Sequence, residues 1–80
     1  MSERIATAVF AALGRHLGVP AETIQARANE GLDALGLDSH GLMRVLLDIE
    51  QALGLSGLDL PDDALASPAS MVHGVIAAAG

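Results

Sequence analysis

The sequence predicts an all-α bundle of three main helices and one short one, on three observations. Apolar residues recur at three- and four-residue steps in three separate stretches. Glycine or proline stands at the ends of those stretches, where a helix is expected to stop or start. No stretch alternates apolar and polar residues as a half-buried strand does, and there is neither an internal repeat nor a low-complexity segment.

Taken in order, the first helix is expected over about 3–17. Ile5, Val9, Leu13 and Leu17 fall at four-residue steps with Phe10 beside them, which makes one helix face. Gly18 then suits a left-handed cap, and Pro20 prevents continuation. Residues 18–37 read as a long loop pinned by Ile24, Leu32, Leu35 and Leu37. A loop of that length with apolar anchors points to function rather than disorder. The second helix is expected over about 39–53, with Asp38 as its N-cap and Gly54 closing it. Pro61, Asp62 and Asp63 suggest a tight turn into a short third helix over about 62–66. Ser67-Pro68 reads as a cap followed by proline at the first helical position of a fourth helix over about 68–79. Its inward residues are expected to be Val72, Val75, Ile76 and Ala79. The whole chain, 1–80, reads as one small domain.

Composition narrows the function. Of 80 residues, 51% are hydrophobic and 18% charged, which supports a core. A net charge of −6 argues against nucleic acid and anionic membranes, whose phosphates call for a basic patch, and favours partners with basic docking surfaces. Phe10 is the sole aromatic residue, so no stacking platform for bases exists. The absence of cysteine removes disulfides, thiolate metal sites and thiol nucleophiles together. No apolar run reaches the roughly 18 residues needed to span a bilayer, and no signal-type start is present. The expectation is a cytoplasmic monomer. Such a small domain buries only about 60% of its unfolded surface, which favours a surface-acting role over a deep active site.

The informative segment surrounds Ser39. On a wheel of about 100° per residue, Leu42, Val45, Leu46, Ile49 and Leu53 form the core stripe of the second helix. Ser39, Met43, Leu47 and Glu50 form a neighbouring stripe turned toward solvent, and His40, Arg44, Asp48 and Gln51 lie further round. Ser39 therefore stands at the exposed tip of a helix with two apolar residues one and two turns below it. Unpaired amides and the positive end of the helix dipole make that tip a tolerant place for an attached phosphate. Position alone leaves Ser39 equally open to the plainer role of a second N-cap.

An enzymatic reading, with Ser39 as nucleophile and His40 as base, fails on geometry. Adjacent residues on a helix diverge by about 100°. A nucleophile elbow would place glycine at position 37, where Leu37 stands, and would follow a strand. His16 and His73 lie on other segments as surface residues, and no His/Cys pair has metal-ligand spacing. No catalytic residue and no metal site is expected.

The segment Leu35-Gly36-Leu37-Asp38-Ser39 resembles the attachment motif of acyl and peptidyl carrier proteins. Leu42 to Leu55, with Ile49-Glu50 and Leu53-Gly54, resembles the second helix of those carriers. Leu58-Asp59-Leu60-Pro61-Asp62-Asp63 resembles their step into a short third helix. The likeness covers essentially the whole chain. It implies a four-helix carrier-protein bundle with 4′-phosphopantetheine esterified to Ser39, transferred from coenzyme A by a phosphopantetheinyl transferase. The protein would then hold acyl groups as thioesters on a borrowed thiol and pass them between loading enzymes, synthases and transferases. Asp38 would serve as part of the motif and as helix cap. Met43, Leu47, Glu50 and Arg44 would face partner enzymes, and Leu46, Ile49, Leu65 and Val72 would line an acyl cleft. Asp33, Asp59, Asp62 and Asp63 would add negative potential for basic partners.

Two positions depart from the family pattern. His40 follows the serine where such carriers usually have leucine, and Arg44 stands where fatty-acid carriers show an acidic contact. The first bears on which modifying enzyme reads the site. The second points away from fatty-acid housekeeping and toward a polyketide, peptide or similar specialised pathway. An aminoacyl or peptidyl carrier is the alternative within the class. Outside it, the alternative is a helical interaction module that grips a partner through Met43 and Leu47. Met1 and the full helix pattern suggest a free-standing carrier.

Overall fold

A computed structural model describes residues 2–79. Helix α1 spans Ser2–Leu17, α2 Ala21–Ala26, α3 Ser39–Leu53 and α4 Pro68–Ala79, with a 3-10 turn at Asp62–Leu65 between α3 and α4. No strand occurs among the described residues. The fold is a small all-α bundle in which α1 packs against α2, α3 and α4.

The core forms where the apolar stripes meet. Val9 and Leu13 from α1, Val45 and Ile49 from α3, and Met71 and Val75 from α4 are all at 0% exposure. Burying such side chains stabilises the bundle by about 1.5–3 kcal/mol each before the entropy of ordering them is counted. Phe10, Leu42, Leu46, Val72 and Ile76 pack half-buried around this centre. On α4 the inward face differs from the expected one. Met71 is fully buried, whereas Ala79 is exposed at the helix end, beyond the reach of the core.

The expected loop over residues 18–37 contains a helix, α2. Pro20, read as the residue that stops α1, also sets the entry to α2 with φ −64° and ψ 153°. One and a half turns expose no periodicity to a sequence reading, because only Ile24 faces inward, at 1% exposure. The turn between the helices depends on Gly14. Its carbonyl accepts from the Val19 amide at 2.9 Å, and a Cβ at 14 would sit 2.6 Å from the Val19 carbonyl oxygen.

Residues 27–38 carry no regular helix, yet they are stitched to the start of α4. The Ala69 amide, an otherwise unpaired donor of the first turn of α4, donates to the Ala28 carbonyl at 2.9 Å. The Leu32 amide donates to the Ala66 carbonyl at 2.9 Å, and Leu32 and Leu37 are buried as anchors. Ser67 and Ser70 complete the α4 entry by capping each other: each hydroxyl accepts from the other's amide. The 3-10 turn ends at Leu65, one residue short of the expected 66.

Candidate functional site

Asp38 begins α3 in an extended conformation, and its Oδ1 accepts from the Gly41 amide at 2.7 Å. Its carbonyl accepts from the Leu42 amide at 2.8 Å, so this one residue closes the first turn through side chain and backbone. Ser39 is exposed at that turn. The turn is braced on its inner side by α1. Gly41 is buried, and a Cβ there would lie 2.5 Å from His16 Nε2 and 3.0 Å from Leu37 Cδ1. Glycine at 41 thus lets α1 and the loop approach the helix tip closely. The expected surface histidine His16 is exposed, as read, but its ring covers this glycine.

Beside Ser39 lies an open depression of about 340 Å³, lined by Leu32, Leu37, Leu42 and Leu65 with Asp33 and Asp38 also on its wall. Loop, α3 and 3-10 turn each contribute to it. Of the residues expected to line an acyl cleft, only Leu65 is here. Ile49 is sealed in the core, and Leu46 and Val72 pack half-buried against the core elsewhere. The other leucines lining the depression are Leu32, Leu37 and Leu42. The signal for the first two was present in their role as loop anchors, but nothing in the sequence aimed them at Ser39.

The outward wall of α3 carries Met43 at 66% and Leu47 at 54% exposure, the two large apolar side chains most open to solvent among the described residues. His40, Arg44 and Gln51 share this exposed wall. Glu50 does not. It is half-buried, and its Oε2 accepts from the Leu58 amide, so the carboxylate read as a partner contact also pins the chain after α3. Gly54 ends α3 with φ 68°, in the left-handed region open to glycine, which turns the chain so that Leu58 can reach back. Asp48, on the α1 side of α3, sits 3.6 Å from Arg15.

The chain matches the family described as "Phosphopantetheine attachment site" over residues 7–75, and it belongs to that family. No curated protein and no solved structure gives a match. Membership makes this a carrier protein for covalently attached 4′-phosphopantetheine. The residues at the tip of α3 fit such a group. An exposed hydroxyl stands among first-turn amides, and a depression of mixed apolar and acidic lining opens beside it. Among the described residues no helix is long and apolar enough to cross a membrane, and no acidic, histidine or cysteine cluster has metal-binding geometry.

Proposed function

We propose that Ser39 bears the phosphopantetheine arm and that the protein carries acyl groups between the enzymes of a polyketide or other specialised pathway. The observation that supports this most is the exposed Ser39 hydroxyl on a turn held by Asp38 and braced through Gly41, next to the depression. When bound, the group supplies a terminal thiol, which the chain itself lacks for want of cysteine, and so the means to hold acyl cargo as a thioester.

The residues around it have distinct tasks. The Ser39 oxygen forms the phosphoester link, and its place at the helix tip leaves room for a modifying enzyme above it. Asp38 keeps the turn closed, so the hydroxyl is presented in one orientation rather than several. Leu42 and Leu65 form an apolar floor near the root of the arm. Met43 and Leu47 form the contact for a phosphopantetheinyl transferase and for the enzymes that load and unload cargo, since a large exposed apolar pair adds nothing to the core. Arg44, in place of the acidic contact of fatty-acid carriers, supports the specialised pathway. The chain acts as substrate and shuttle rather than catalyst.

The test is intact-protein mass spectrometry after incubation with coenzyme A, magnesium and a broad-specificity phosphopantetheinyl transferase. The native chain gains the mass of one phosphopantetheine and Ser39→Ala gains none. A gain retained by Ser39→Ala, or absent from the native chain, overturns the assignment.

A further inference from the structure

The chain is strongly acidic, yet its charge is unevenly placed. Two of its ten acidic residues, Asp48 and Glu50, lie on α3. Neither is free on the exposed wall: Asp48 faces Arg15 at 3.6 Å, and the Glu50 carboxylate accepts from the Leu58 amide. From Ser39 through Met43, Leu47, His40 and Gln51 to Arg44, an arc of about 140° carries exposed side chains of which none is a carboxylate. Arg44 has no ion-pair partner among the described residues. The formal charge of that wall is positive, while Asp33, Asp38, Asp62 and Asp63 stay exposed on the loop and the 3-10 turn.

We infer that the surface this wall fits is an apolar socket for Met43 and Leu47 rimmed by a carboxylate that meets Arg44, and not the basic patch that the net charge suggests. The inference rests on the carrier reading above and names the partner chemistry of its docking face. A basic rim at Arg44 sets two cations together as the interface loses water, and that costs affinity. A carboxylate there gains a bidentate partner from the guanidinium. The acidic loop side then lies outside the contact or steers the approach from a distance, over roughly a Debye length of 10 Å at moderate salt. Neither the pairing of Asp48 nor the withdrawal of Glu50 is visible in the sequence, and without them α3, with one arginine and two carboxylates, would look acidic.

Two phosphopantetheinyl transferases serve as probes, one with a basic docking surface and one with an apolar docking surface rimmed by acidic residues. Loading of Ser39 from coenzyme A is followed by mass, and kcat/KM is measured at low and high ionic strength for native protein, Arg44→Glu and Gln51→Glu. Gln51→Glu places a carboxylate on the same wall and guards against a folding defect in the first variant; circular dichroism checks both. The expected result is a preference of the native chain for the acid-rimmed enzyme, a shift of about fivefold toward the basic one in each variant, and convergence at high salt. A native preference for the basic enzyme, or a ratio that neither variant moves, overturns the inference while leaving Ser39 as the attachment site. No loading by either enzyme removes the attachment at Ser39 and this inference with it.

Discussion

Along α3, Val45 and Ile49 on one wall and Met43 and Leu47 on the other are side chains of similar character with opposite surroundings. The first two are at 0% exposure in the core beneath α1, and the second two are at 66% and 54%. Residue type does not separate them; position on the wheel does. The inner pair holds the bundle together, whereas the outer pair leaves water only when another molecule covers it. A helix two-sided in this way can present a reactive tip at Ser39 on a rigid base.

Substitutions break the comparison in order of size. Ile49→Ala removes fully buried volume and is expected to destabilise the fold by about 2–5 kcal/mol, read from chemical denaturation. Glu50→Ala leaves the Leu58 amide without its acceptor and is expected to cost about 1–3 kcal/mol. Glu50→Gln keeps an acceptor oxygen and should retain most of that stability, and its loading kinetics should match the native chain. A loss of loading with stability intact would instead make Glu50 a docking carboxylate. Met43→Ala and Leu47→Ala on the outer wall are expected to change stability by no more than about 0.5 kcal/mol, while raising KM for enzymes that act on the carrier. If either lowers stability as Ile49→Ala does, the two walls are not distinct.

The smallest effect concerns the loop. The Arg27 guanidinium donates two hydrogen bonds to Glu30, at 2.9 and 2.7 Å, and holds its carboxyl below the ordinary value of 4.5. A carboxyl lowered in the folded state stabilises the fold above its unfolded pKa and ceases to do so as pH falls through the folded value. The pair is exposed, so the effect is small and salt-sensitive. The stability difference between native protein and Glu30→Gln should therefore be present at neutral pH and fade on acidification below about 4.5. A difference that grows on acidification contradicts this sign.

Much of the arrangement was legible because it rests on local rules. The stripes of α1 and α3, the Asp38 cap, the left-handed glycines 18 and 54, and the Ser67-Pro68 entry each follow from a few neighbouring residues. The rest depends on contacts distant in sequence. The α2 helix is too short to show a period, and Met71 is buried by neighbours that no single-helix wheel contains. The apolar wall beside Ser39 joins Leu32 and Leu37 to Leu65 where the Ala69 amide donates to the Ala28 carbonyl and the Leu32 amide to the Ala66 carbonyl. The turn of Glu50 toward Leu58 likewise belongs to tertiary structure.

The central claim is the location of the arm, and the sequence offers a clean way to read it. Trypsin cuts after Arg27 and Arg44, releasing residues 28–44, in which Ser39 is the sole hydroxyl side chain. Protein purified from its own host, digested and analysed by mass spectrometry, should carry phosphopantetheine on that peptide. The group on the segment after Arg44, which holds Ser56, Ser67 and Ser70, or its absence from the purified protein, would contradict the account.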